Sequence, residues 1–116
     1  MKAYTDTEQS KMLAEIFPLE SADMSWVSNG LGKPFARTIP IKGDPEELCA
    51  CWSLAALLDI IPMVCLDNFG DDTTKSMVWN CVSFPENYHS IETNYYDNPT
   101  DACVDMIVRL KKHKLI

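Results

Sequence analysis

Cys51-Trp52-Ser53-Leu54-Ala55-Ala56-Leu57-Leu58 is the densest apolar run of the chain, and its placement on a helix decides the rest. Inside a helix it is the core of a small domain. At a helix start it sets the Cys51 thiol where the positive end of the dipole lowers a thiol pKa. The residues just upstream favour the first arrangement. Asp44-Pro45-Glu46-Glu47 supplies an N-cap aspartate, a proline at the first helical position and a glutamate that closes a capping box. From that start Leu48, Cys51, Trp52, Ala55 and Leu58 form one stripe, widened by Leu54, Leu57 and Ile61, and Pro62 ends the helix. Cys51 then lies about two turns inside, where a thiol is a small core hydrophobe. Whether this helix begins at Pro45 or at Cys51 is the boundary on which the function turns.

Working outward toward the N-terminus, Thr5-Asp6-Thr7-Glu8 has the form of a capping box with Thr5 as N-cap. Met12, Leu13, Ile16 and Phe17 fall on one face of the helix that follows, and Pro18 stops it. Met24-Ser25-Trp26-Val27 reads as a short strand ended by Ser28-Asn29-Gly30, and Gly32-Lys33-Pro34 continues the loop. Phe35 to Ile41 reads as a second strand, which Pro40 confines to a sheet edge.

Toward the C-terminus, Met63-Val64-Cys65-Leu66 is a short strand and Asp67-Asn68-Phe69-Gly70-Asp71-Asp72 a turn. Met77 to Phe84 and Tyr88 to Tyr96 are rich in β-branched and aromatic residues, and Pro85-Glu86-Asn87 joins them as an antiparallel hairpin. Asn98 caps a last helix and Pro99 opens it; Cys103, Met106, Ile107 and Leu110 are its apolar stripe. Arg109, Lys111, Lys112, His113 and Lys114 cluster at its end, where positive charge complements the dipole. The expected architecture is a single α+β domain over residues 1–116. It has a mostly antiparallel sheet of 3–5 short strands packed against three helices, in the order α-β-β-α-β-β-β-α.

Composition narrows the function. Seventeen carboxylates against ten lysines and arginines give a formal charge of −7. Such a surface repels phosphate backbones, so no direct nucleic-acid binding is expected; its first use is to keep the chain soluble, with a basic protein partner as the second. Hydrophobic residues at 47% exclude a disordered chain. Met1 to Asp6 has no apolar segment of a signal peptide, and no apolar run approaches a membrane span. The five cysteines are odd in number and sit in apolar segments, which fits reduced thiols in a cytoplasmic protein.

Cys49-Ala50-Cys51-Trp52 partly resembles the cysteine-tryptophan signature of papain-like hydrolases, whose nucleophile opens a helix. The matching positions are Cys51 as nucleophile, His89 as base, and Asn94 or Asp97 as the group orienting the imidazole. The glycine of that signature is missing, as is the glutamine of its oxyanion hole. Cys49 and Cys51, two apart on a helix, face nearly opposite ways and do not chelate zinc, and His89 and His113 have no second ligand at metal spacing. The carboxylates of residues 67–72 lack the ligand alternation of a calcium loop. No metal or cofactor is therefore expected. Trp26, Phe35, Trp79, Tyr88, Tyr95 and Tyr96 serve as packing between sheet and helices, with a binding groove as their second use.

Three segments carry a further resemblance. They are Tyr4 to Lys11 with Leu19 to Met24, Cys51 to Leu58, and Tyr96 to Val104. Together they resemble a family of short proteins, without an assigned activity, common in gut bacteria and their mobile elements. That family carries a proline directly before the Cys-Trp pair, where this chain has Ala50, and this moves a helix start toward Cys51. The expectation is a non-enzymatic protein-interaction module, with a protein or a second copy of the chain as partner. The alternatives are a cysteine hydrolase using Cys51 and His89 and an acidic inhibitor that mimics nucleic acid.

Overall fold

The computed structural model describes residues 2–28, 33–38, 47–70 and 77–116. Among these the elements are α1 (Thr7–Ile16), β1 (Met24–Val27), β2 (Phe35–Arg37), β3 (Glu47–Cys51), α2 (Leu54–Ile60), β4 (Val64–Gly70), β5 (Met77–Ser83), β6 (Ile91–Glu92) and α3 (Pro99–Lys112). The fold is α+β, in the expected order with one strand, β3, added ahead of the central helix. The strands form two three-stranded antiparallel sheets, β2-β1-β3 and β4-β5-β6. Two compact units result: Tyr4–Ala56, and Leu57–Ile116 with Met1–Ala3. Helix α2 carries the chain from one to the other.

In the first unit α1 packs on β3 through the fully buried Leu13, with Met12, Ile16 and Phe17 half-buried. Its cap is Asp6, one residue later than expected. The Asp6 carboxylate accepts from the Gln9 N–H at 2.8 Å, and Gln9 Oε1 accepts from the Asp6 N–H at 3.1 Å. Thr5 cannot cap because its hydroxyl serves the Trp52 N–H instead, at 3.1 Å. β1 matches the expected strand and is the centre of its sheet, with Trp26 opposite Ala36 on one side and Cys49 on the other. β2 is the edge strand expected; Pro40 and the Asp44-Pro45-Glu46 signal lie outside the described residues.

Residues 47–51 are the main correction. They form β3, where a helix was expected. Capping chemistry is local, whereas β1 has two hydrogen-bonding edges, and β3 pairs with the second from Glu47 to Cys51. The helix begins only at Leu54, and Ser53 caps it: Ser53 Oγ accepts from the Ala56 N–H at 3.2 Å. The start therefore falls beyond both Pro45 and Cys51.

In the second unit β4 runs on through Asp67-Asn68-Phe69-Gly70, four residues expected to turn. β5 offers a seven-residue partner, and the register Val64↔Ser83 through Gly70↔Met77 satisfies every rung of the ladder. Paired backbone groups outweigh the turn preference of Asp and Asn. The expected strand from Tyr88 to Tyr96 shrinks to β6 and an isolated bridge of Tyr96 to Trp79. Between them the Thr93 N–H donates to the Cys81 carbonyl at 3.0 Å while the Thr93 hydroxyl takes the Cys81 N–H at 2.9 Å, so a side chain supplies half of the pairing there. The β5–β6 connection passes Asn87 at φ 59°, a left-handed position that asparagine tolerates.

Helix α3 starts as expected, with the Asn98 side chain accepting from the Asp101 N–H at 2.8 Å and proline next. Cys103, Met106, Ile107 and Leu110 are fully buried where α3 packs on β5 and β6. Each such apolar side chain contributes about 1.5–3 kcal/mol. The N-terminal residues are tied to α3, because Thr100 donates to the Lys2 carbonyl at 2.9 Å and Lys2 Nζ meets Asp101 at 2.8 Å. Among the described residues no helix is long and apolar enough to cross a membrane.

Candidate functional site

Cys51 closes β3, and the next residues turn into α2. Its side chain is fully buried in a hydrogen-bonded knot centred on Thr5. Thr5 Oγ1 lies 2.7 Å from Ser10 Oγ, accepts from the Trp52 N–H at 3.1 Å and donates to Cys51 Sγ at 3.6 Å. A hydroxyl has one proton and two lone pairs, so with its proton on sulfur Thr5 must accept from Ser10. The Thr5 carbonyl in turn accepts from Trp26 Nε1 at 3.0 Å and from the Cys51 thiol at 3.5 Å. Trp52, also fully buried, donates from Nε1 to Ser21 Oγ at 3.0 Å. Asp23 accepts from the Ser53 N–H at 2.9 Å and from the Ser53 hydroxyl, fixing the cap of α2. Two of the three resemblance segments thus meet at one place, as structural partners.

Burial raises the Cys51 pKa, and the Thr5 and Ser10 hydroxyls offset only part of that. A nucleophilic thiol needs the opposite shift. Cys49 and Cys51 share one face of the sheet, not opposite sides as a helix would place them, because side chains two apart in a strand point the same way. The other candidates belong to the second unit. His89 is exposed and stacks on Tyr88 at 4.2 Å, and Tyr88 Oη lies 3.3 Å from Nδ1 of His113. Asn94 is exposed and accepts from the Thr93 hydroxyl through its main-chain oxygen. Asp97 accepts from Asn98 Nδ2 at 2.8 Å beside the start of α3. Cys51 and His89 therefore sit in different units, each with its own partners. Among the described residues no three His, Cys, Asp or Glu side chains gather as metal ligands.

The more informative surface is the second sheet. Helix α3 covers one of its faces: Cys103 hydrogen-bonds Cys81, and Tyr96 donates to Asp105 at 2.7 Å. Alternation along the strands then assigns the opposite face. It carries Cys65, Asp67 and Phe69 from β4, Val78, Asn80 and Val82 from β5, and Glu92 from β6. Tyr95, next to the helix-facing Tyr96, joins them and meets the Phe69 ring edge-on at 5.8 Å. Both rings are open to solvent, Phe69 at 48% and Tyr95 at 61%. Asn80 lies among these residues yet is 1% exposed. Its Nδ2 donates to Glu92 Oε1 at 3.2 Å, while its Oδ1 has no partner. Asp67 is opposite Asn80 in the register and accepts from the Cys65 thiol at 3.4 Å. That bond and the carboxylate charge hold the Cys65 thiol above its ordinary pKa.

Sequence alone missed this face because Asp67 to Gly70 read as a turn. Periodicity gave no counter-signal, because Val64 to Phe69 runs apolar through Leu66, polar at Asp67 and Asn68 and apolar again at Phe69, without the alternation of a half-buried strand. Of the six aromatic residues expected to pack between layers, Tyr95 turns to the exposed face and Tyr96 to the helix. No protein-family model, curated protein or solved structure matches this chain.

Proposed function

We propose that the chain is a non-enzymatic protein-interaction module that binds through the face of β4-β5-β6 turned away from α3. One observation carries this: two aromatic rings, Phe69 and Tyr95, pack on each other at 5.8 Å while about half or more of each stays exposed. Aromatic side chains give up much solvent-accessible area on contact and are enriched where partners dock. The exposed Cys65 thiol fits a reducing compartment, so we place the module in the cytoplasm.

A photo-reactive amino acid at Phe69, used in the source cells, tests this reading. We expect one partner, identified by mass, whose cross-link is lost in Tyr95→Ala and absent when the probe sits at Glu8. No position-dependent product would overturn the surface. Thiol alkylation tests the enzyme alternative: if Cys51 reacts fast near neutral pH and falls silent in His89→Ala, the module gives way to a hydrolase.

A further inference from the structure

We infer that the exposed face of the β4-β5-β6 sheet is built to seat an arginine side chain of its protein partner; this rests on the module proposed above. Asn80 Oδ1 is buried without a donor, an unfavourable condition that an incoming N–H relieves. Its surroundings offer acceptors on both sides. Asp67 stands opposite Asn80 on β4, and Glu92 already holds the other end of the same amide. Two residues along β4 from Asp67 begins the Phe69–Tyr95 pair. Carboxylates, an amide oxygen and ring faces on one surface describe the complement of a single group. A guanidinium is planar, carries five donors in a fixed fork, bonds carboxylates in pairs and stacks on aromatic rings.

An ammonium supplies charge without the plane, and an anionic or purely apolar partner supplies no donor for Oδ1. The net charge of −7 opposes a second copy of the chain as occupant and favours a basic segment. Oδ1 is shielded from water as the chain stands. Seating the guanidinium therefore includes a side-chain rearrangement in the rim. Glu92, exposed and on the edge strand β6, is the residue placed to swing toward the incoming cation, accepting from it through Oε2 while Oε1 keeps its bond to Asn80.

The test is a nuclear magnetic resonance titration of the full chain with hexa-arginine, hexa-lysine and hexa-glutamate at one ionic strength. Hexa-arginine is expected to shift the Asn80 side-chain amide and the backbone amides of residues 65–69 and 95, with hexa-lysine weaker and hexa-glutamate silent. The pair Asp67→Asn with Glu92→Gln should weaken hexa-arginine by about tenfold or more. The charge-matched pair Glu8→Gln with Glu20→Gln, both exposed in the other unit, should leave affinity within about twofold. Equal loss in both pairs, or shifts scattered over the acidic surface, would overturn the site in favour of diffuse charge. Self-association abolished by Phe69→Ala would overturn it in favour of a second copy. A cross-link at Phe69 without any response to hexa-arginine would leave the module standing and remove the guanidinium.

Discussion

Thr5 Oγ1 spends its proton and both lone pairs inside the chain, whereas Asn80 Oδ1, equally deep, has no partner. The two clusters are built from similar material: a small polar residue on or beside a strand, neighbouring aromatics and a cysteine. Around Thr5 the aromatics turn their N–H groups inward, and Trp52 is fully buried. Around Asn80 the aromatics face solvent. A satisfied polar knot fixes one packing arrangement, because breaking any bond strands a buried group. An unsatisfied one beside exposed rings carries a modest penalty that an incoming donor can remove. The difference separates a folding element from the surface proposed to bind without reference to sequence motifs, and it is open to direct attack.

Truncating an aromatic in each cluster should show the largest contrast. Trp52→Ala removes a fully buried ring together with its bond to Ser21, and we expect a loss of about 3–5 kcal/mol in urea unfolding. Phe69→Ala should cost under about 1 kcal/mol, since its ring is 48% exposed. Comparable losses would mean that Phe69 belongs to the core and that the contrast fails.

Removing the central polar group gives the next effect. Thr5→Val keeps the shape and deletes the hydroxyl, leaving the Trp52 N–H and Ser10 Oγ buried without that partner, at about 1–3 kcal/mol. Asn80→Leu removes the Nδ2 bond to the exposed Glu92 together with a buried oxygen that has no partner; the two offset, and its unfolding free energy should change by no more than about 1 kcal/mol. If Asn80→Leu destabilises as strongly as Thr5→Val, the Asn80 amide is structural and the binding surface loses its main support.

How far the sequence foretold these clusters follows the range of the interactions. Helix α3 was legible to the residue because Asn98, Pro99 and the Cys103-Met106-Ile107-Leu110 stripe act within a few positions of one another. β1 was legible as a run of strand formers. β3 was not, since its reason for existing is the second edge of β1, about twenty residues upstream. The same holds for the end of β4, where pairing with β5 overrides Asp67 and Asn68 as turn formers. The Cys51 knot could not be foreseen either. Thr5 looked like a cap, and only the Tyr4–Ser53 bridge brings its hydroxyl to the Trp52 N–H. The exposed face is made by two such pairings, β4 with β5 and β5 with β6, and no apolar–polar alternation along residues 64–70 announced it.

On the helix-covered side of the same sheet, burial and the carboxylate of Asp105 push Tyr96 up to about 12 from an ordinary 10. The folded chain thus keeps the proton that the unfolded chain loses above pH 10. Stability from this group is complete below pH 10 and falls as pH rises through 10 to 12. Tyr96→Phe should flatten the part of the pH–stability slope in that window; an unchanged slope would remove the Tyr96–Asp105 bond from the account.

The finest probe of the exposed face is the Cys65 thiol. It is exposed, so access does not limit its alkylation, and its rate follows the thiolate fraction. Asp67 accepts the thiol proton at 3.4 Å and adds like charge, so both effects favour the protonated form. Asp67→Asn removes the charge and weakens the acceptor, which lowers the pKa and raises the thiolate fraction near pH 8. We expect Cys65 to react about two- to fivefold faster in that variant. Hexa-arginine added to the unaltered chain should act in the same direction, because a guanidinium on Asp67 neutralises the carboxylate and takes up its lone pairs. Buried Cys51 should not respond to either change, its thiol being governed by burial and by Thr5. Acceleration at Cys65 by the peptide but not at Cys51 would tie the cation to the Asn80 cluster, and equal acceleration at both would show that the peptide loosens the fold.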